Sequence, residues 1–225
     1  MCKATIPAMA ALAQQAAQAL KALPGLVDDQ AEKARVSCDL DRCLAEMKVI
    51  IYGNGGGAEA AAQQAQQPDP AQVRELRAAL LQPPGDSALL YMVTHHGHAD
   101  FEARKLIAQV VSHMLRKYPP TVLHVAAHPE ILSTLARGYQ NPTIALTCGS
   151  MLRECLRDED LHMVAAGGSQ QVIMSLLVEA VQRPNFDIAT DAFSSFKDLM
   201  ILHKTRRCAE WMESQYEFIF DAFST

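Results

Sequence analysis

The chain contains an internal repeat, and its spacing of 42 to 44 residues constrains the fold more than any single motif. The segment from Asn141 to Ala145 has a counterpart 44 residues later, from Asn185 to Ala189. Beyond these segments, apolar residues align with apolar residues and each charge keeps its sign. The aligned pairs are Leu152/Phe196, Arg153/Lys197, Glu154/Asp198 and Leu156/Met200. The two segments are therefore copies of one structural unit.

A third, weaker copy begins near Asp100, where Ala103 precedes Ala145 by 42 residues. Shorter periodic segments lie between the long ones, so each repeat has room for about three helices. Units of about 40–47 residues are typical of armadillo and HEAT repeats, which stack because none buries its apolar face alone. The sequence predicts an all-α, right-handed armadillo/HEAT-like helical-repeat solenoid. The predicted solenoid is one domain over residues 1–225, with repeats starting near 100, 141 and 185.

The part before the repeats is also helical in pattern. Residues 8–23 are rich in Ala and Gln and predict a helix that Pro24-Gly25 ends. Asp28 or Asp29 is placed to cap a second, long helix, in which apolar residues recur at three- and four-residue steps until Gly53. Few residues are aromatic, 6% of the chain, and this too favours helices over strands.

Residues 53–70 are rich in Gly, Ala and Gln and predict a flexible insertion. Within them, Gly53 to Ala58 match G-x-G-x-x-A after an apolar run, with Asp69 or Glu75 placed like the acid that binds a ribose. A dinucleotide site needs a strand before the glycines, whereas the apolar run at 49–52 completes a helical period. The flexible insertion is the preferred interpretation.

In the last repeat, one helical stripe collects most of the apolar residues and predicts the buried face. The stripe consists of Ile188, Ala189, Ala192, Phe193, Phe196, Leu199 and Met200. On this prediction, replacing Phe193 or Phe196 by Ala costs about 3–5 kcal/mol, since both would leave a cavity.

Charge and composition argue against several other functions and locations. The formal net charge is −5, so the chain has no overall positive field to hold a nucleic acid. No run of 18 apolar residues is present, so no membrane span is expected. The six cysteines form no C-x-x-C pair, which favours reduced thiols and a cytoplasmic location. A transit peptide over the first 27 residues is a less favoured alternative.

A group of histidines and acids near residue 100 is the strongest candidate for a metal site. Its members are His95, His96, His98, Asp100, Glu102 and His113. The H-H-x-H spacing fits no helical i, i+4 ligand pair, so a specific site is not expected. Asp158-Glu159-Asp160 is a short acidic turn without the pattern of a calcium-binding EF-hand loop. No metal and no cofactor is therefore predicted.

Catalytic residues are not evident either. No G-x-S-x-G motif is present, and Cys148 and Cys155 lie seven residues apart on one helical face, as packed residues do. The neighbouring Arg153, Glu154 and Arg157 are suited to ion pairs within or between repeats. We expect no enzymatic activity. An enzyme that uses the histidine group is the alternative from another class of function.

Several collinear segments resemble the mouse protein-25 family, also called calcium-binding protein 39, whose members are armadillo-like scaffolds of kinase signalling complexes. The segments are AEKA at 31–34, MKVIIYG at 47–53, GYQNPTIAL at 138–146, CGSMLRECLR at 148–157 and FDIATDAFSSFKDL at 186–199. Because they are long and in order, the chain is identified as a member of that family.

The resemblance implies a non-catalytic scaffold that binds a kinase or pseudokinase of the sterile-twenty or germinal-centre class. Family members hold that kinase domain on their concave face in an active conformation. The residue most like a family contact is Phe186, with Asp187, Thr190 and Asp191 as neighbours. The alternative is that Phe186 is simply the first core residue of its helix.

The chain stops at Thr225, whereas members of that family continue through further helical repeats. Those repeats carry the family's pocket for a Trp-Glu-Phe tail, so this part of the function is not transferred. A scaffold that binds without activating, in cell polarity or morphogenesis, is the second interpretation. An apolar face exposed at the C-terminal end also predicts self-association.

Overall fold

The computed structural model describes residues 6–53, 67–83, 85–167 and 172–223, and within these ranges it contains helices and no strand. The α-helices are α1 Ile6–Ala22, α2 Gln30–Tyr52, α3 Pro70–Leu80, α4 Ala88–His95, α5 Phe101–Lys117, α6 Pro120–Ala127, α7 Glu130–Arg137, α8 Ala145–Leu156, α9 Glu159–Gly167, α10 Val172–Val181, α11 Phe186–Ile201, α12 Arg206–Ser214 and α13 Tyr216–Phe223. Short 3₁₀ segments lie at Leu23–Gly25, His96–His98 and Gly138–Gln140. The all-α prediction is confirmed.

Both ends of α2 follow the predicted chemistry. Asp29 caps α2, since its carboxylate accepts the Glu32 backbone N–H at 3.0 Å. Gly53 ends the same helix in a conformation with φ of 76°, which other residues rarely adopt. Asp100 caps α5 in the same way through the Ala103 N–H. The helical assignment of residues 49–52 is confirmed, so the strand that a dinucleotide site requires is not there.

The chain divides into two compact units, residues 1–118 and 119–225. In the first unit, α1 packs against α2, α3 and α4, and α5 packs against α2 and α4. Its core consists mainly of Leu, Met, Ile and Ala side chains, among them Leu20, Leu44 and Met92. The predicted flexible insertion falls mostly on residues outside those that the structure describes, and α3 begins at Pro70 behind the cap Asp69.

The second unit is arranged around α8. Helices α7, α9 and α11 pack against it, and α10 packs against both α7 and α11. The long helices α5, α8 and α11 begin at residues 101, 145 and 186, near the predicted repeat starts. The aligned residues Leu152 and Phe196 are both buried, as equivalent positions should be. The division into repeats, and their union in one domain, remain predictions.

Among the described residues, no single helix is long and apolar enough to cross a membrane. Only α9 and α10 taken together meet those criteria, and the two are bent by 87° relative to each other.

Candidate partner-binding surface

The surface predicted to bind a partner is centred on the first turns of α11. Asn185 caps this helix, because its side-chain oxygen accepts the Ile188 N–H at 3.1 Å. Phe186 follows the cap directly and is 79% exposed. The alternative interpretation of Phe186 as the first core residue is therefore wrong.

Phe193 corrects the predicted core stripe. Its side chain is 52% exposed, whereas Ile188, Ala192 and Phe196 are buried as predicted. An α-helix turns about 100° per residue, so Phe193 points more than 90° away from the centre of the buried positions. The predicted stripe is therefore too wide on this side, because an apolar side chain next to the buried Ala192 points in a direction about 100° away from it.

One face of α11 collects exposed side chains opposite the core. Phe186, Thr190, Phe193 and Lys197 are all exposed and follow each other at steps of four, three and four residues. At about 100° per residue these four positions fall within one narrow arc of the helix. Asp187 is also exposed but lies to the side of this arc. We call Phe186, Thr190, Phe193 and Lys197 the aromatic face.

Asp191 has a different environment from the other predicted contact residues. Its side chain is 17% exposed and forms a two-pronged ion pair with Arg153 of α8, with Nη2–Oδ1 at 2.8 Å and Nη1–Oδ2 at 2.9 Å. The Tyr139 hydroxyl donates to Asp191 Oδ2 at 2.6 Å, and Ser195 Oγ lies 2.8 Å from the Tyr139 oxygen. This carboxylate therefore faces α8 and holds α11 in place.

The close approach of α8 and α11 depends on Gly149. A Cβ atom at this position would lie 2.0 Å from Asp191 Oδ2 and 2.2 Å from the Tyr139 hydroxyl oxygen. Only a residue without a side chain leaves space for both groups. The ion pair, the tyrosine and the glycine thus form one contact, which we call the Arg153–Asp191 junction.

The Asp191 carboxylate stabilises the protonated forms of both Arg153 and Tyr139 in the junction. Burial disfavours the charged form of Arg153, but the hydrogen bonds and charge of Asp191 outweigh this effect and raise the guanidinium pKa. Burial raises the pKa of Tyr139, and Asp191 raises it further, so the hydroxyl stays protonated and remains a donor. The sequence predicts ion pairs of Arg153 within or between repeats, and the structure shows the second of these; Tyr139 and Ser195 were not predicted.

The histidine group does not form one site. His96 is buried and its Nδ1 lies 2.8 Å from the Val93 carbonyl oxygen, whereas Asp100 caps α5. His113 lies with its Nε2 2.6 Å from Arg77 Nη2. In the described part of the chain, no three or more His, Cys, Asp and Glu side chains converge in a way that would hold a metal ion.

The two cysteines of α8 are packed residues. Cys148 and Cys155 are both buried, and burial raises the pKa of each thiol to about 12. A thiol with so high a pKa supplies almost no thiolate near neutral pH, which is the nucleophilic form. The acidic turn is also structural, because Asp158 accepts the backbone N–H groups of Asp160 and Leu161 at the start of α9.

Comparison with known proteins gives consistent matches. The model of the Mo25-like family matches residues 4–225. MO25-like protein 2 of Caenorhabditis elegans is 40% identical over 188 residues, which cover 81% of this chain and 51% of that protein. Calcium-binding protein 39-like of Homo sapiens is 41% identical over 128 residues, or 55% of this chain and 37% of that protein.

A more distant relative is the conidiophore development protein hymA of Emericella nidulans. It is 26% identical over 217 residues, which cover 83% of this chain and 53% of that protein. The chain thus spans about half, or less, of the length of these three relatives.

Proposed function

The chain belongs to the Mo25-like family of helical-repeat scaffold proteins, and from this premise we propose that it binds a kinase or pseudokinase of the sterile-twenty class and favours its active conformation. The chain itself would catalyse no reaction. The partner class comes from the family resemblance, and we place the complex in the cytoplasm. Because the chain spans about half of its relatives' length, the proposal concerns kinase-domain contact and leaves out the docking of a tail.

The observation that carries this proposal is the aromatic face of α11. Phe186 and Phe193 are 79% and 52% exposed, although burying a Phe side chain is worth about 1.5–3 kcal/mol. Aromatic residues, Phe among them, are enriched in protein interfaces, where a few residues carry most of the binding energy. Asp187 and Lys197 at the margins would add charged contacts and orient the partner.

A second observation supports a rigid binding surface. The Arg153–Asp191 junction fixes α11 against α8 through groups that are largely buried. A surface that is ordered before binding loses less conformational entropy on association. The family resemblance implies four partner-contact residues. We propose that Phe186, Asp187 and Thr190 contact the partner directly, and that Asp191 holds them in position.

Activation requires only preferential binding. A scaffold that binds the active conformation about 100-fold more tightly than the inactive one shifts their equilibrium by the same factor, or about 2.8 kcal/mol. A ligand with equal affinity for both conformations would shift nothing. The same surface would therefore support either an activator or a simple binder, depending on which kinase conformation fits it.

The alternative is a scaffold that binds without activating, in cell polarity or morphogenesis. The relative from Emericella nidulans favours this candidate, because its name refers to conidiophore development. The two candidates share the aromatic face and differ only in the effect on the kinase.

The test is a titration of the 225-residue chain into a sterile-twenty-class kinase from the same organism, with binding and phosphate transfer to a generic substrate measured in parallel. The proposal predicts saturable binding and a saturable rise in rate. The variant Phe186→Ala with Phe193→Ala should weaken both by tenfold or more. Leu123→Ala is the matched control, because Leu123 is 73% exposed in α6 of the same unit and should leave both unchanged.

Each outcome has a definite meaning. Saturable binding without a rise in rate would support the binding-only alternative and contradict activation. Equal effects of the α11 double variant and Leu123→Ala would contradict the role of the aromatic face. No binding by a chain with a normal helical circular dichroism spectrum would contradict both candidates.

A further inference from the structure

Three side chains capable of binding a soft metal ion meet between α9 and α12. The imidazole of His162 and the thiol of Cys208 are buried, with 1% and 2% exposure, and Nδ1 lies 3.6 Å from Sγ. The Met163 thioether sulfur lies 3.7 Å from the same Sγ. We call His162, Met163 and Cys208 the sulfur cluster, and nothing in the proposed function uses it.

The hydrogen bonds of His162 determine its tautomer, and hence which ring nitrogen has a free lone pair directed at the Cys208 thiol. Its Nε2 lies 2.7 Å from the Leu199 carbonyl oxygen, which only accepts hydrogen bonds. Nε2 therefore carries the proton, and Nδ1 presents its lone pair to Cys208. Histidines that bind metals are oriented in this way by a backbone carbonyl on the second nitrogen.

The distances suit a small coordination sphere. Metal–ligand bonds are about 2.1 Å to a histidine nitrogen and about 2.3 Å to a cysteine sulfur. With these bond lengths, the 3.6 Å separation of Nδ1 and Sγ corresponds to an N–metal–S angle of about 110°. The 3.7 Å separation of the two sulfur atoms corresponds to a similar angle. Such angles lie near those of tetrahedral coordination, so little movement of the side chains is needed.

The chemistry of the ligands selects the ion. Thiolate and thioether sulfur favour soft cations, of which monovalent copper is the typical example. Binding of Cu⁺ displaces the thiol proton to solvent, and the resulting thiolate and the cation together are neutral. A divalent ion would leave one uncompensated charge among buried groups, which is costly. We propose that the sulfur cluster is a binding site for one Cu⁺ ion, ligated by His162 Nδ1, Cys208 Sγ and Met163 Sδ.

The surroundings of the cluster are also suitable. The rings of His203 and Trp211 pack edge-on against His162, with centroids at 4.9 and 6.2 Å, and shield it from water. Trp211 is itself held in place, since its Nε1–H donates to the Ala166 carbonyl at 2.9 Å. An ion at this position would join α12 to α9 and stabilise the folded unit, because it binds the folded chain selectively.

The position of Trp211, the only tryptophan of the chain, provides a local reporter for the test. Cu⁺ is supplied anaerobically as its acetonitrile complex, in competition with a bicinchoninate chelator, and tryptophan fluorescence is followed. One equivalent should quench Trp211 in the native chain. Met163→Leu should weaken this binding at least tenfold, and Cys208→Ser should abolish it.

The control is Cys38→Ser, which removes an exposed thiol of α2 in the other unit and should change nothing. If the chain removes Cu⁺ from the chelator but Trp211 fluorescence does not change, the copper is bound elsewhere, and that result would overturn the proposal. Equal binding by the native chain and Met163→Leu would also overturn it, and this nearly isosteric variant remains informative if Cys208→Ser fails to fold. X-ray absorption should show one nitrogen and two sulfur ligands, and sulfur ligands alone would exclude His162.

Discussion

Arg153 and Asp191 link two long helices through a two-pronged ion pair that lies on a different side of α11 from the aromatic face. Both side chains are largely buried, and Tyr139 and Ser195 complete the hydrogen bonds of the carboxylate and guanidinium. A charge buried in this way is stable only while its partner remains. The orientation of Phe186 and Phe193 therefore depends on this ion pair between α8 and α11.

Removing the carboxylate should destabilise the second unit substantially. Asp191→Ala leaves Arg153 and the Tyr139 hydroxyl without their main partner, and we expect a loss of about 2–3 kcal/mol in the free energy of unfolding. Urea denaturation followed by circular dichroism measures the change. Glu210→Ala is the control, because it breaks an ion pair with Arg206 that is exposed on both sides and should cost under ~0.5 kcal/mol. Similar losses in the two variants would show that the junction is not a special contact.

Gly149 should tolerate no side chain. In Gly149→Ala, the new Cβ would lie within 2.2 Å of Asp191 Oδ2 and of the Tyr139 oxygen, so the Asp191 carboxylate and the Tyr139 ring must leave their positions in the junction. We expect a cost of about 1–3 kcal/mol. Gly25→Ala, where a Cβ meets no atom within 4 Å, should be neutral or slightly stabilising. Thermal unfolding of both variants makes the comparison, and an unchanged stability for Gly149→Ala would contradict the close approach.

Replacement by Ala should destabilise the protein far more at Phe196 than at Phe193. Phe196 is 8% exposed, and Phe196→Ala should cost about 3–5 kcal/mol because it leaves a cavity. Phe193 is 52% exposed, and Phe193→Ala should change stability by less than about 1 kcal/mol. Chemical denaturation distinguishes the two, and a large loss for Phe193→Ala would restore the core stripe as predicted from the sequence.

The sequence predicted the fold class well because helical structure depends on local signals. The cap Asp29, the terminating Gly53 and the apolar spacing of α2 act within a few residues of one another. The repeat spacing predicted three long helices without any knowledge of how they pack. The short helices α3, α4 and α6 were not identified. In α4 and α6, with the sequences ALLYMVTH and PTVLHVAA, apolar residues occupy most positions and so show little helical periodicity.

The candidate site was only partly predictable, because it depends on contacts between residues far apart in the chain. Hydrogen bonds of Tyr139 with Asp191 and Ser195 span 52 and 56 residues, and no local pattern indicates them. The exposure of Phe193 likewise follows from which side of α11 meets α8. A seven-residue spacing between Phe186 and Phe193, with a polar residue between them at position 190, was the signal available for the aromatic face.

The predicted self-association can be tested on α13. Tyr216 and Phe220 are 59% and 55% exposed, and their rings lie against each other at a tilt of 35°, with centroids 4.5 Å apart. We expect a concentration-dependent dimer in sedimentation velocity, which Tyr216→Ser with Phe220→Ser should abolish. Leu123→Ser, a change of the same kind at an exposed position of α6, should leave the dimer intact. A monomer at every concentration would contradict this use of the α13 surface.

His113 should make the first unit sensitive to acid. Its Nε2 accepts a hydrogen bond from Arg77 at 2.6 Å, and burial, together with the Arg77 charge, lowers its pKa to about 4 from an ordinary value of 6.5. Between these two values the unfolded chain binds a proton that the folded chain does not. The stabilising contribution is thus complete above pH 6.5 and is lost as the pH falls towards 4.

The ring is partly exposed, so solvent screening reduces the effect, and we expect a loss of about 1 kcal/mol between pH 7 and pH 5. His113→Gln keeps an acceptor for Arg77 but cannot titrate, so its free energy of unfolding should fall less over this range than that of the native chain. Urea denaturation at both pH values measures the difference, with the exposed His98→Gln as control. If His113→Gln and the native chain lose the same stability, His113 is protonated as easily in the folded as in the unfolded chain, and its contact with Arg77 does not persist in solution.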